Sequence, residues 1–160
     1  MNGVDYSHAA MIPGPVRRRG VADGLARQRE VGVDIVSHDI PLAKIVGAVM
    51  RAKPSAVSFE ASNPRHAHEQ TVWREVDVPD DKVLIPGVID STTNFIEHPE
   101  LVAQRIATFA GIVGRERVLA GVDCGFGTFA GYGKMDPDIC YAKLRALAEG
   151  AAIASSRLWG

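Results

Sequence analysis

The chain has 160 residues, 46% of them hydrophobic and 23% charged, which is enough length and apolar content for one folded domain. Its 18 basic and 19 acidic residues nearly cancel, so the charge balance gives no reason to expect nucleic acid or an anionic membrane as a partner. No run approaches the roughly 20 apolar residues of a membrane span, and no signal-peptide core is present. The sequence therefore predicts a cytoplasmic protein that binds small molecules.

The first part of the chain has little apolar periodicity. Residues 1–20 are rich in Gly, Pro, Ser and Arg and predict a loose leader before a domain that spans 21–160. A short helix over 21–31 and a strand over 33–36 are expected next. Pro41 then suits the first turn of an amphipathic helix. Its apolar residues recur at helical spacing: Leu42, Ile45, Val46, Val49 and Met50.

The rest of the chain alternates apolar strands with helices. Strands are predicted over 56–60, 83–90 and 118–124, and helices begin at His98-Pro99 and at Asp136-Pro137. This alternation predicts an α/β fold with mainly parallel strands and crossover helices. Four strands are half of a closed eight-stranded barrel, so we expect a half TIM-type barrel. Its open edges predict a homodimer. The buried face of the helix after Pro99 should contain Val102, Ile106, Phe109 and Val113.

Three of the predicted strands end in residues that can carry chemistry. They are Glu60, Asp90 and the pair Asp123-Cys124, and the carboxyl ends of parallel strands form the ligand-binding edge of such folds. A thiolate and a carboxylate on neighbouring strands are plausible zinc ligands. The alternatives are that the cysteine packs as a small apolar residue and that the glutamate is solvated.

Two further motifs allow more than one interpretation. His66 and His68 would share one face of an extended strand and could bind metal or move protons, or they could lie exposed at a helix start. The stretch 125–130 fits the G-x-G-x-x-[G/A] dinucleotide pattern, but Pro137 marks a helix that starts too late for that motif. A loop at the rim of the sheet is the better interpretation of this stretch.

Longer stretches of the sequence resemble a known family. VSFEASNPRHAHE (57–69), DDKVLIPGVIDSTTNFIEHPELVAQRI (80–106) and VLAGVDCGFGTFAGYG (118–133) are similar to C-terminal barrel segments of cobalamin-independent methionine synthases. The nearest variant is the branch related to epoxyalkane:coenzyme M transferase. GVADGLARQREVGVDIVS (20–37) resembles an early helix and strand of the same barrel.

The resemblance implies zinc-dependent transfer of a methyl or alkyl group to a thiol. Glu60 and Cys124 match two of the family's zinc ligands, and Asp90 matches an aspartate near the substrate, with Ser91 beside it. The expected partners are a small-molecule thiol and an alkyl donor. The family's His-x-Cys ligand pair has no counterpart here, as if the middle of the barrel had been removed, and Thr92 replaces a proton-donating histidine. An inactive, truncated paralogue that acts as a binding or assembly module is therefore the alternative.

Overall fold

The computed structural model describes residues 40–126 and 135–160. The predicted leader, the helix over 21–31, the strand over 33–36 and the middle of the glycine-rich loop lie outside the described residues. Of the residues that are described, those up to Ala52 and those from Lys53 onward belong to two compact units.

Helix α1 (Leu42–Met50) is the described element of the first unit. Its start after Pro41 confirms the predicted amphipathic helix, because the fixed φ of proline suits the residue that precedes the first turn. Val46 and Met50 are buried, four positions apart on one face, whereas Ile45 is exposed.

The second unit contains a parallel three-stranded sheet in the order β1-β2-β3. The strands are β1 (Ala56–Phe59), β2 (Val83–Ile89) and β3 (Gly121–Val122). This arrangement confirms the α/β class. The expectation that Glu60 and Cys124 come from neighbouring strands is wrong, because β2 lies between β1 and β3. With strands about 4.8 Å apart, the two outer strands are separated by about 10 Å.

Strand β3 is shorter than the predicted segment 118–124. Before it, only an isolated parallel bridge joins Val118 to Leu84, and the register between β2 and β3 shifts between Gly87 and Ile89. The shift follows Pro86, which has no N–H to donate to a neighbouring strand. The ladder is therefore irregular where β2 approaches its carboxyl end.

Helices and 3₁₀ turns connect the consecutive parallel strands. A 3₁₀ turn (Ala67–Thr71) and the short helix α2 (Val72–Glu75) follow β1, and helix α3 (Pro99–Val113) follows β2. A 3₁₀ turn (Arg115–Arg117) precedes β3, and the long helix α4 (Pro137–Trp159) ends the chain. Both predicted helix starts are confirmed by their caps: His98 accepts a hydrogen bond from the Glu100 N–H, and Asp136 accepts one from the Asp138 N–H.

The core lies between β2 and the two long helices. All four residues predicted for the inner face of α3 are buried. Gly150 allows α4 to approach α3 closely, because a Cβ atom at this position would lie 2.5 Å from Val102 Cβ. A second apolar contact supports β1, where Phe59 stacks on the ring of Trp73 at 4.4 Å between centroids. Among the described helices, none combines the length and apolar character that crossing a membrane requires.

Candidate functional site

The carboxylate of Asp123 connects the end of β3 to the loop after β1. Its Oδ1 accepts hydrogen bonds from the N–H groups of Ala61 (2.8 Å) and Ser62 (3.0 Å). Its Oδ2 accepts from the Asn63 N–H (2.7 Å) and from Asn63 Nδ2 (3.0 Å). Asp123 is 8% exposed, and bonds from neutral donors to a buried carboxylate are stronger than bonds between neutral groups. Asp123 thus holds the segment immediately after Glu60 in a fixed place.

Gly87 lets Asp123 reach across the middle strand. A Cβ atom at position 87 would lie 2.1 Å from Asp123 Oδ1 and 2.6 Å from Asp123 Cα, which is closer than atoms can approach. The backbone of Asp123 continues the ladder at this point, since its N–H donates to the carbonyl of Ile89 at 2.9 Å. A glycine in β2 is therefore a structural requirement for the connection between the two outer strands.

The outcome of this arrangement is a contact between Glu60 and Cys124. The Cys124 thiol donates a hydrogen bond to Glu60 Oε1, with 2.6 Å between Sγ and Oε1. Asn63 Nδ2 donates to the other oxygen, Oε2, at 2.9 Å, which fixes the rotation of the carboxylate. Both side chains remain partly exposed. We call Glu60, Asp123 and Cys124 the thiol cluster.

His66 lies beside this cluster at the N-cap of the 3₁₀ turn. Its Nδ1 is 2.9 Å from Glu69 Oε2, and its Nε2 is 3.6 Å from Glu60 Oε2. The interpretation of His66 and His68 as two side chains on one face of a strand is wrong, because the segment turns after Pro64 and His68 lies inside the 3₁₀ turn. The alternative, that the histidines lie exposed at a helix start, is confirmed for His68, whereas His66, at the start of the 3₁₀ turn, is only partly exposed.

The donor atoms of Glu60 and Cys124 match the chemistry that zinc prefers, since the ion takes thiolate sulfur and carboxylate oxygen as ligands. Ligands bonded to one tetrahedral zinc at about 2.3 Å (S) and 2.0 Å (O) lie about 3.5 Å apart. The observed 2.6 Å separation would have to widen by about 1 Å to admit the ion. Across the described residues, no group of three His, Cys, Asp or Glu side chains is arranged to hold a metal. Glu60 and Cys124 thus supply two donor atoms of the kinds that zinc takes, and no third donor joins them among the described residues.

Asp90 lies at the end of β2 and is 6% exposed. Thr92 donates to Oδ1 through its N–H (2.8 Å) and its hydroxyl (2.6 Å), and the Thr93 hydroxyl donates to Oδ2 at 3.0 Å. Burial opposes ionisation of this carboxyl, but these hydrogen bonds and the charge of Lys143 outweigh it and hold the pKa of Asp90 below its ordinary value. Thr92 thus closes the turn that contains Asp90.

A buried lysine anchors the loop that follows Asp90, and the sequence interpretation missed it. Lys143 is 0% exposed, and its Nζ donates to Glu97 Oε2 (3.0 Å), to the carbonyl of Asp90 (3.0 Å) and to the carbonyl of Phe95. Glu97 Oε1 in turn accepts from the Asp90 N–H at 2.8 Å. The signal was available: Lys143 shares a face of α4 with the buried Ala146, Gly150 and Ala154. We call Asp90, Glu97 and Lys143 the lysine cluster.

Two further residues shape the region between the strands. Arg105 on α3 donates from Nη1 to the carbonyl of Val88 (2.9 Å) and from Nη2 to the carbonyl of Ser62 (3.3 Å). The hydroxyl of Ser62 is buried and has no hydrogen-bond partner among the described residues. Buried hydroxyls in folded proteins are nearly always hydrogen-bonded, so this oxygen is suited to accept a water or a ligand donor.

Comparison with known proteins yields one kind of similarity. No protein-family model matches the sequence, and no curated protein matches it. Among solved structures, the chain is similar to a B12-independent methionine synthase from Shewanella sp. W3-18-1, solved in complex with selenomethionine. The TM-score is 0.59 and the identity 21%, over 72% of this chain.

The two proteins share a fold. The chain spans 30% of the length of that methionine synthase, so the similarity concerns one part of a larger molecule. At the level of fold it agrees with the sequence resemblance to cobalamin-independent methionine synthases. The epoxyalkane:coenzyme M transferase-like branch stays a prediction, and so does the half-barrel.

Proposed function

We propose that this chain carries a site for methyl or alkyl transfer to a thiol, with Glu60 and Cys124 as protein ligands of a zinc ion. The observation that supports this most is the 2.6 Å contact between Cys124 Sγ and Glu60 Oε1, two residues 64 positions apart in the chain. The fold similarity to a methionine synthase makes the same chemistry the first to test. A zinc ion bound there would lower the pKa of a coordinated substrate thiol, so that it reacts as a thiolate at neutral pH.

The chain's own residues prepare this site in two steps. Asp123 fixes residues 61–63 through four hydrogen bonds, and this holds Glu60, which follows β1, close to Cys124, which follows β3. Asn63 then donates to Glu60 Oε2, so that Oε1 faces Cys124. Hydrogen-bonded supporting residues of this kind orient metal ligands and raise affinity in known metal sites.

Asp90 and Ser91 are the proposed substrate-binding residues. The hydrogen bonds from Thr92 and Thr93 keep the Asp90 carboxylate ionised, and an ionised carboxylate attracts a cationic or hydrogen-bond-donating part of a substrate. Ser91 is half-buried next to it in the same turn. In this proposal the two residues orient the thiol substrate and take no part in bonding to zinc.

A product assay tests the proposal. The full chain, supplied with Zn²⁺, is incubated with homocysteine and a methylated folate, or with coenzyme M and an epoxide, and thioether products are measured by mass spectrometry. We expect product from the parent protein and from Cys140→Ser, whose altered side chain lies on α4, and none from Cys124→Ser. Equal product from Cys124→Ser, or no product from zinc-loaded parent protein with either pair, would contradict the proposal.

The second candidate is a binding or assembly module without catalysis. It is favoured by the incomplete ligand set, since zinc sites normally retain at least three protein ligands. In the described sheet, β1 and β3 are the outer strands, and exposed strand edges pair readily with another chain. This candidate predicts a homodimer by light scattering. A monomer at micromolar concentration would count against it.

A further inference from the structure

The loop after β2 exposes two large apolar side chains that follow one another in the sequence. The side chain of Phe95 is 83% exposed and that of Ile96 is 53% exposed. Single exposed apolar residues are ordinary on protein surfaces, so their exposure alone indicates no function. What distinguishes this pair is the way in which its backbone is held and the place where it lies.

A buried ion pair holds the backbone that carries the two side chains. Lys143 Nζ donates to the carbonyl of Phe95 and, at 3.0 Å, to the carbonyl of Asp90. Glu97, which follows Ile96, binds Lys143 and accepts from the Asp90 N–H at 2.8 Å. These contacts tie both ends of the loop to one point. The apolar pair is therefore presented on a fixed backbone, and little conformational entropy is lost when a ligand contacts it.

The same contacts determine where the pair lies. The carbonyl oxygens of Asp90 and Phe95 accept from one ammonium nitrogen, so they cannot be more than about 6 Å apart. Asp90 follows β2, the middle strand, and Glu60 and Cys124 follow the strands on either side. The backbone of Phe95 thus lies at the edge of the sheet that carries the candidate site, close to Asp90 and Ser91.

The extent of the exposed surface suits a small molecule. Phe95 and Ile96 together expose an area on the order of 200–300 Å². A stable protein interface takes about 800 Å² from each partner, and the exposed neighbours Thr92 and Asn94 are polar and do not enlarge the apolar surface. The size of the pair matches one ring or one short alkyl chain.

We propose that Phe95 and Ile96 bind the apolar part of the alkyl donor, with the Phe95 ring as the main contact. The inference rests on the proposed function, in which Asp90 and Ser91 orient the thiol, and it assigns the second substrate to the loop that follows them. The ligand class is a donor with an apolar carrier or chain. An aromatic carrier, as in a methylated folate, and an aliphatic chain, as in a long epoxide, both gain free energy when they leave water for a phenyl ring.

The variants separate the ring from the loop that carries it. Phe95→Ala removes the ring and keeps the carbonyl that Lys143 binds, so the loop should retain its conformation. Phe95→Leu keeps an apolar side chain at the same place. Leu119→Ala is the matched control, because Leu119 is 57% exposed and its N–H donates to the carbonyl of Leu84, near the start of β2 and away from Asp90.

The experiment is an NMR titration that follows the backbone amide signals of the full chain. One arm adds a methylated folate, and the other adds octanediol, which has the chain of an opened epoxide and cannot alkylate Cys124. We expect at least one probe to shift the amide signals of residues 91–97. Its dissociation constant should rise about 5-fold or more in Phe95→Ala, less in Phe95→Leu, and not at all in Leu119→Ala. The arm that binds identifies the donor as aromatic or aliphatic.

Three results would overturn the inference: parent-level affinity in Phe95→Ala, shifts confined to other residues, or no shifts with either probe. A dimer that light scattering detects in the parent and not in Phe95→Ala would also overturn it, because a second copy then covers the pair.

The product assay distinguishes this inference from the proposed function. Product formation with the same KM for the donor in the parent and in Phe95→Ala overturns the role of Phe95 alone. Probe binding at residues 91–97 without product from the zinc-loaded parent overturns the transfer reaction and leaves the loop as a binding surface for apolar groups.

Discussion

The thiol cluster and the lysine cluster lie at the ends of neighbouring strands, yet their polar atoms are used differently. In the lysine cluster, Lys143 and Glu97 are 0% and 8% exposed, and their charged groups bind each other and the backbone of one loop. In the thiol cluster, only Asp123 is saturated in this way. Glu60 and Cys124 contact each other and remain partly exposed.

The difference shows why a polar residue at a strand end is a weak indicator of function. Asp90 and Asp123 end β2 and β3 and looked equivalent to Glu60 in the sequence, but both carboxylates accept hydrogen bonds mainly from the chain itself. Asp123, whose oxygens are bonded to residues 61–63, supports its neighbours. Glu60 and Cys124, which stay partly accessible beside it, are the candidates for binding a metal ion, whereas in our proposal Asp90 acts on the substrate through its charge.

Removing the ammonium group of the lysine cluster should destabilise the protein most. Lys143→Met leaves the Glu97 carboxylate buried without its partner, and breaking a buried ion pair in this way costs about 3–5 kcal/mol of unfolding free energy. The control, Arg157→Met, breaks the solvent-exposed pair with Glu100 and should lower the unfolding free energy far less, because water screens that pair. Urea unfolding measures both. Similar losses in the two variants would show that the lysine cluster is not a structural anchor.

The second prediction tests whether Asp123 lies against the backbone of β2 at Gly87. Gly87→Ala places a Cβ atom against Asp123, and β3 must move away, so we expect a loss near the upper end of the ~1–3 kcal/mol typical of overpacking. Gly111→Ala is the control, because a Cβ atom there meets nothing within 4 Å and the helix should gain about 0.5–1 kcal/mol. The free energies of unfolding should therefore change in opposite directions. An unchanged free energy of unfolding in Gly87→Ala would mean that Asp123 does not approach β2 this closely.

A third variant removes the negative charge that fixes the loop after β1. Asp123→Asn turns an amide NH₂ toward N–H donors of residues 61–63, and each buried donor left without a partner costs about 1–3 kcal/mol. Zinc affinity should fall together with stability, since Glu60 is then less well held. The control, Asp77→Asn at an exposed position, should change the unfolding free energy by less than about 0.5 kcal/mol. Unchanged zinc affinity in Asp123→Asn would show that Asp123 is not needed to position Glu60 for metal binding.

The smallest effect concerns the ionisation of Asp90. Because the folded-state pKa lies below the ordinary value of 3.8, Asp90 contributes stability that is present above pH 3.8 and is lost as the pH falls through the folded pKa. Thr92→Val removes one hydrogen bond to Oδ1, so the pKa should rise and about 0.5–1.5 kcal/mol should be lost at neutral pH. Carboxyl NMR titration measures the shift. Thr108→Val, which alters a helix hydroxyl bonded to the Gln104 carbonyl, should leave it unchanged.

Local sequence signals predicted most of the described elements. The helices α3 and α4 begin where a capping side chain precedes a proline, at His98 and Asp136, and these signals act within a few residues. The apolar runs that predicted β1 and β2 are also signals within a few neighbouring residues. Strand β3 is shorter than predicted because its pairing depends on the register shift next to Gly87, which is set by a different strand.

The rule that the carboxyl ends of parallel strands meet at one edge predicted that Glu60 and Cys124 lie close together. It did not predict which contacts bring them together. The sequence gives no sign that β2 lies between their strands, or that Asp123 crosses it to reach the loop after β1. The burial of Lys143 depends on Glu97, 46 positions away, and helical periodicity alone does not identify such a partner. Tertiary contacts of this kind decide which polar residues remain accessible.

In our proposal, Glu60 and Cys124 are held at one point where both can bind a single divalent ion. Anomalous diffraction at the zinc edge, on crystals of the full chain grown with Zn²⁺, would locate such an ion. We expect a peak about 2.0–2.2 Å from a Glu60 carboxylate oxygen and about 2.3 Å from Cys124 Sγ. A structure with no peak between these atoms, or with zinc bound only by other residues, would rule out this zinc site.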